Sequence, residues 1–183
     1  MNTRNWLVQI AQYYRRNHFF EQYSHLSDEQ LADKLEALCR EDEGYTGGKF
    51  TWMKDWEVIR YDHKRTLEES LDVLYGDDPG PYSFHHAVKT IQKWASISRG
   101  AFRPADIKDV GNYLIEFTLS GMQHTVNSWE DPRKLAPQLN PLIAQTSYQF
   151  EIWKLDPTYL VAVLTSEEKA RFQAERGWYF YNW

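Results

Sequence analysis

Regular alternation of apolar and polar residues in the last third of the chain is the strongest constraint on its fold. In residues 113–119 every second side chain is apolar, which is the period of a strand with one buried face. Ser120 and Gly121 then predict a tight turn, since glycine accepts a positive φ without steric cost. The alternation resumes over residues 122–126. The sequence therefore predicts an antiparallel β-hairpin with one face in the core.

A second hairpin is predicted from residues 148–153 and 159–164. The first of these runs alternates, whereas the second is apolar on both faces. An apolar run of that kind is typical of a central strand that is covered on both sides. Thr165 and Glu168 have the spacing of a capping box and predict the start of a final helix, and Gly177 predicts its end.

The earlier part of the chain carries apolar residues mainly at helical spacing. The clearest helix start is Ser27, because Gln30 follows at the position that completes a capping box. Thr66 and Glu69 have the same spacing and predict another capped helix. Residues 50–62 stay ambiguous, since their apolar side chains fit either a helix or a short strand. The predicted helices cover residues 5–16, 27–40, 66–76 and 83–98.

These patterns predict an α+β fold in a single domain over residues 1–183. Residues 1–104 form its mainly helical part, and residues 105–183 form a sheet module with a C-terminal helix. The predicted order in the module is β-hairpin, helix, β-hairpin, helix, with both hairpins in one mainly antiparallel, four-stranded sheet. The helix between the hairpins falls within residues 132–146 and is predicted to break near Pro137 and Pro141.

Charge and cysteine content exclude several classes of function. The net charge is −5, from 21 basic and 26 acidic side chains. This balance disfavours binding to nucleic acid or to anionic membranes, since both require a cationic surface. Cys39 is the one cysteine in the sequence, so neither a disulfide framework nor a cysteine-based metal site can be built.

Hydropathy gives no sign of a membrane protein. No run approaches the roughly 20 apolar residues that span a bilayer, and the first residues lack the apolar core of a signal peptide. We therefore expect a cytoplasmic protein. The sequence predicts no cofactor and no metal.

The sequence contains no recognisable catalytic motif: it has no glycine-rich phosphate loop, no nucleophile elbow and no His-Glu-x-x-His helix. His85 and His86 are adjacent, and adjacent side chains on a helix point about 100° apart, which is poor geometry for a shared metal. Asp62 and His63, with Glu68 and Glu69 nearby in sequence, could supply a general base and the group that orients it. An enzyme of unrecognised class that uses one of these pairs is the alternative hypothesis.

Acidic residues are concentrated in three predicted loops, one of which also carries a tryptophan. Charge of this kind commonly serves only solubility, but it also suits a basic protein partner, with the tryptophan as an interface anchor. The candidate binding residues are Glu41, Asp42, Glu43, Asp77, Asp78, Trp129, Glu130 and Asp131.

In its size, acidity, aromatic content of 16% and lack of a catalytic motif, the chain resembles the small acidic immunity proteins that neutralise bacterial toxins. The resemblance is compositional and transfers no residue from that family to this chain. It implies a non-enzymatic, antitoxin-like protein of the bacterial cytoplasm that binds a cognate toxin domain and occludes its site. A regulatory or assembly domain that binds a different protein is a further alternative.

Overall fold

The computed structural model describes residues 3–42, 54–70, 85–127, 132–154 and 158–181, and within them the fold is α+β. The chain divides into two compact units, Met1–Thr66 and Leu67–Trp183, which we call the first and the second unit. That both belong to a single domain stays a prediction. No helix in the described ranges is both long enough and apolar enough to cross a membrane.

Within the described residues of the first unit the regular elements are helices, apart from Thr66, which is the first residue of a strand. Apolar residues at helical spacing are buried along one side of each of the two long helices, among them Leu7 and Ile10 in the first and Leu31 and Leu35 in the second. The helices are α1 (Thr3–Arg16), α2 (Asp28–Asp42) and α3 (Asp55–Ile59), with a 3₁₀-helix over Glu21–Tyr23.

Two expectations for the first unit are resolved. The capping box at the start of α2 is confirmed, because the Gln30 N–H donates to Ser27 Oγ (3.2 Å) and the Ser27 N–H donates to Gln30 Oε1 (2.8 Å). The ambiguous segment 50–62 contains a helix, α3, in its described part.

The second unit contains two three-stranded sheets among the residues that the structure describes. The first sheet has the order β1-β6-β5 and the second has the order β2-β3-β4. The first sheet comprises β1 (Thr66–Ser70), β5 (Tyr148–Lys154) and β6 (Thr158–Thr165), and the second comprises β2 (Ala105–Gly111), β3 (Leu114–Leu119) and β4 (Met122–Asn127). Both predicted hairpins are present, and β6 is the central strand of its sheet, as its two-sided apolar pattern predicted.

The prediction of one four-stranded sheet is wrong, because each hairpin acquires its own third strand instead of pairing with the other hairpin. The helix expected to begin at Thr66 is wrong as well, since Thr66–Ser70 is the strand β1. The Thr66 hydroxyl donates to the carbonyls of Ile59 (2.9 Å) and Asp62 (3.0 Å), so it ends the preceding turn. The rest of that predicted helix, residues 71–76, lies outside the described residues.

The first hairpin follows its predicted pattern closely. Along β3 the side chains of Ile115, Phe117 and Leu119 are buried, and the residues between them are partly exposed. Ser120 and Gly121 have φ values of 52° and 81°, as a two-residue hairpin turn requires. Tyr113 had been expected on the core face, but it lies before the strand and is 38% exposed.

One core serves both sheets of the second unit. Phe102 packs edge-on against Phe117 of one sheet and Phe150 of the other, with ring centroids 5.4 and 6.0 Å apart. Trp94, on α4 (His85–Ile97), is the fourth ring of this group, and its centroid lies 4.9 Å from that of Phe150. Aromatic rings in these arrangements contribute both buried area and favourable geometry.

Two further helices complete the second unit. The first, α5 (Pro132–Leu139), passes through Pro137 and is followed by a 3₁₀-helix over Asn140–Ile143, so the predicted break falls after Leu139. The last, α6 (Ser166–Arg176), has the predicted capping box: the Glu168 N–H donates to Thr165 Oγ1 (3.1 Å), and the Thr165 N–H donates to Glu168 Oε2 (2.8 Å). Gly177 ends it with φ 66°.

Candidate functional site

Glu41 and Asp42 are the candidate binding residues that the structure describes. Both belong to the last turn of α2, so the expectation that they lie in a loop is wrong. Glu41 is exposed to solvent. The other candidates lie outside the described residues: Glu43, Asp77, Asp78, Trp129, Glu130 and Asp131.

Helix α2 is strongly acidic along its whole length. It carries six acidic and two basic side chains, a net charge of −4. Leu31, Leu35 and Cys39 are buried on one side, whereas Glu29 and Asp33 are exposed. The helix therefore presents negative charge to solvent while its apolar stripe fixes it in the first unit.

Arginines of α1 and α2 compensate part of this charge. Arg4 donates to both oxygens of Asp33 (3.0 and 3.3 Å), and Arg15 Nη1 donates to Asp28 Oδ1 (2.8 Å). Glu36 is paired within the helix by Arg40 (2.5 Å). These contacts hold the first two helices together and leave other carboxylates of α2 to face solvent.

Glu29 and Glu41 form no ion pair with any part of the chain that the structure describes. The Glu29 carboxylate accepts hydrogen bonds from its own N–H and from the Ser27 hydroxyl (2.9 Å), and these lower its pKa. Glu29 is therefore negatively charged at neutral pH near one end of α2, and exposed Glu41 lies near the other. Both ends of the helix carry a carboxylate that a cationic partner can reach.

The two residues of the Asp62–His63 pair, which was proposed for acid–base chemistry, differ in their exposure to solvent. Asp62 is 1% exposed, and its carboxylate accepts the N–H groups of Phe20 (2.7 Å) and Lys64 (3.2 Å). Burial raises the pKa of Asp62, and the two amides partly offset that effect. His63 is exposed. The carboxylate thus holds backbone amides in place, and a catalytic role for His63 stays a hypothesis.

Arg65, like Asp62, contacts the turn that follows α1. Its Nη1 donates to the Asn17 carbonyl (2.7 Å), and its guanidinium lies over the Phe19 ring at 4.2 Å. His18 and Phe20 have φ values of 60° and 61°, which residues other than glycine seldom adopt. Asp62 and Arg65 therefore fix a strained turn, and no local pattern predicts that two residues so far along the chain hold it.

The remaining catalytic candidates are two histidines and a carboxylate that follow Asp62–His63 in the chain. His85 and His86 begin α4. Glu69, which was considered with Glu68 as a partner of Asp62–His63, belongs to the second unit and lies beside α4. Burial raises the pKa of Glu69, an effect that Lys93 and the nearby indole N–H of Trp94 reduce. The described residues include no group of three or more metal-ligating side chains.

The C-terminal segment 178–181 is a surface feature of the second unit that the acidic-loop hypothesis left aside. Trp178 and Phe180 are buried, whereas Tyr179 between them is 81% exposed. The Trp178 ring lies 4.7 Å from Trp153 and 5.1 Å from Phe172. The Tyr179 backbone is thus held by buried neighbours on both sides while its side chain projects into solvent. In the sequence, residues 178–181 alternate between a purely apolar or indole ring and a tyrosine.

Beside this segment, α6 is joined to the first sheet by a buried ion pair. Lys169 Nζ donates to Glu151 Oε1 at 2.8 Å, and the Glu151 side chain is only 3% exposed. Burial raises the pKa of Glu151, and the lysine reduces that rise. The pair connects two elements of the second unit, and we assign it a structural role.

Comparison with protein-family models found no match, and comparisons with curated proteins and with solved structures found none either. A functional proposal for this chain therefore depends on its own residues.

Proposed function

We propose that this chain is a non-enzymatic, protein-binding protein of the immunity type, which binds a basic toxin domain in the bacterial cytoplasm and occludes its site. The observation that carries the proposal is helix α2, with a net charge of −4 and exposed carboxylates near both ends. In the sequence the helix runs directly into Glu43, so the acidic stretch continues beyond it.

The way α2 is held supports a role in recognition. Its buried stripe and its ion pairs with α1 fix the helix before any partner arrives, so little conformational freedom is lost on binding. Fixed negative charge attracts a cationic domain over a distance and raises the association rate. The same charge repels nucleic acid, which agrees with a partner that is itself a protein.

Tyr179 supports protein binding independently of charge. A tyrosine supplies a large contact area and loses little side-chain entropy on binding, and such residues are enriched at interfaces. Its two neighbours are anchored in the core, so the backbone that presents the ring is already ordered. The second unit therefore has its own exposed aromatic contact.

The test uses the toxin-type domain encoded by the neighbouring reading frame as the probe. We expect Glu29→Gln combined with Glu41→Lys to slow its association roughly tenfold at low salt, with the difference largely lost at about 1 M salt. The matched control is Glu167→Gln with Glu175→Lys, which makes the same change in net charge on exposed positions of α6. Stopped-flow or biosensor kinetics measure both variants.

Two results would contradict the proposal. If the α2 variant and the α6 control slow association equally, net charge acts rather than a site on α2. If the neighbouring domain does not bind at all, the immunity-type function is wrong, and a regulatory or assembly partner must be sought. Inhibition of the domain's toxic activity at one-to-one stoichiometry separates occlusion from simple binding.

A further inference from the structure

Lys169 and Glu151 hold an amine and a carboxyl group in contact inside the second unit. Lys169 Nζ lies 2.8 Å from Glu151 Oε1, and the two side chains are 24% and 3% exposed. The second carboxyl oxygen, Oε2, is buried, and it accepts no hydrogen bond from the part of the chain that the structure describes. Most buried polar atoms have a hydrogen-bond partner, so a buried carboxyl group with one bonded oxygen is unusual.

The surroundings of this pair are apolar. Ala162, which pairs with Glu151 across the sheet, is buried, and the Phe180 ring lies beside the amine, with its centroid 5.6 Å from Lys169 Nζ. Burial raises the pKa of Glu151, and Lys169 offsets only part of this effect. Apolar surroundings of this kind shift the equilibrium from the ion pair toward the neutral acid and the neutral amine.

We propose that Lys169 and Glu151 condense to an amide, which joins α6 to β5 by a covalent bond. In this step the lone pair of the neutral Nζ attacks Cδ of the carboxylic acid, and a C–N bond forms. One carboxyl oxygen leaves as water, with the proton of the acid and one proton of the amine. The step needs no oxidant and no cofactor, and it removes both charges from the buried site. The bond is independent of the binding function proposed above.

The fold supplies the proximity that the condensation needs. Reacting groups that are held in a productive geometry behave as though one were present at an effective concentration of about 10⁵–10⁸ M. Here the carboxyl group is carried by β5, which pairs with β6 along its whole length, and the amine is carried by α6, whose start is fixed by a capping box. Water, which would reverse the reaction, reaches neither the buried Oε2 nor most of the Lys169 side chain.

Four arginine ion pairs in the described parts of the chain show the contrast. Arg4, Arg15, Arg40 and Arg171 pair with carboxylates whose side chains are between 23% and 82% exposed. A guanidinium group also stays protonated in proteins, so it offers no nucleophile. Lys169 differs in both respects, because its amine can lose a proton and its carboxyl partner is almost fully buried.

The experiment measures the intact mass of the denatured wild-type chain after incubation of the folded protein for increasing times. We expect a species that is lighter than the sequence by one water and that increases with time. Lys169→Arg is the matched control, because it keeps the positive charge but cannot condense, and it should keep the mass of its sequence. Proteolytic digestion followed by tandem mass spectrometry should identify a linked peptide that contains both Glu151 and Lys169.

The wild-type measurement decides without any variant, so a K169R chain that fails to fold leaves the test intact. A folded wild-type chain that keeps its full sequence mass throughout the incubation overturns the proposal. Loss of water that maps to another peptide, or that also occurs in K169R, overturns it as well. A wild-type chain held unfolded in urea should not lose water, and equal loss there would show that the contact in the fold does not drive the reaction.

Discussion

Buried carboxyl groups show at the scale of single residues how this chain uses charge inside its fold. Asp62 is bonded to two backbone N–H groups, Glu151 is bonded to a lysine, and Glu69 lies beside an indole N–H. Burial is the main cause of the raised pKa of each. Each group serves its local structure.

Replacing Asp62 with alanine should destabilise the chain strongly. The substitution leaves the buried N–H of Phe20 without its acceptor and removes a bond to Lys64, so we expect a loss of about 2–3 kcal/mol in the free energy of unfolding. Urea unfolding followed by circular dichroism measures it. His63→Ala is the neighbouring control, and because that side chain is exposed it should change stability by less than about 0.5 kcal/mol. Equal effects of both variants would contradict the assigned role of Asp62.

Glu69 makes the stability of the second unit depend on pH. Its folded pKa lies above the unfolded value of about 4.3, so its contribution to stability is complete at acid pH and is lost as the pH rises through the folded pKa. Glutamine cannot ionise, and it has nearly the same shape as glutamate. Glu69→Gln should therefore gain stability relative to the wild type as the pH rises, with the difference smallest near pH 4. Urea unfolding across that pH range measures the difference, and one that is constant with pH would show that ionisation of Glu69 is not its cause.

At the scale of elements, the sequence predicted the helices and strands that are marked by a local pattern of residues. Alternation predicted the first hairpin and β5, an apolar run without alternation predicted β6, and capping boxes predicted the starts of α2 and α6. The strand β1 was mistaken for a helix because Thr66 and Glu69 have the spacing of a capping box, and its strand conformation depends on pairing with β6, far along the chain. The strand β2 was missed because register shifts and a positive φ of 53° at Asp106 interrupt its alternation.

Some features of the candidate site were likewise predicted from the sequence, and others were not. The acidity of residues 41–43 was visible in the sequence, but the predicted helix ended at residue 40, whereas α2 continues through Asp42. The two hydrogen bonds between the Asn140 side chain and the Phe150 backbone were not predicted, since an asparagine before a proline signals a turn, and they form only when the sheet forms. Contacts between elements carry the information that a local pattern lacks.

At the scale of the whole molecule, each unit is stabilised by its own set of contacts. The first unit joins its two long helices through a buried apolar stripe and ion pairs between Arg4 and Asp33 and between Arg15 and Asp28. The second unit packs two sheets around one aromatic core, with β6 at the centre of one sheet. The central strand is therefore the place where a single change should act on the largest part of the chain.

Replacing Val161 with aspartate should unfold the second unit. Val161 is 0% exposed on β6, and a buried, unpaired carboxylate costs several kcal/mol, a large part of a typical total of about 5–15 kcal/mol. The control is Val110→Asp on the edge strand β2, where the side chain is 47% exposed and the same charge remains hydrated. Hydrogen exchange measured by mass spectrometry should show β5 and β6 unprotected in V161D and protected in V110D. The same data test the single-domain prediction, because one cooperative domain would lose protection in α1 and α2 at the same time. If those helices stay protected while the sheets unfold, the chain has two domains that fold separately.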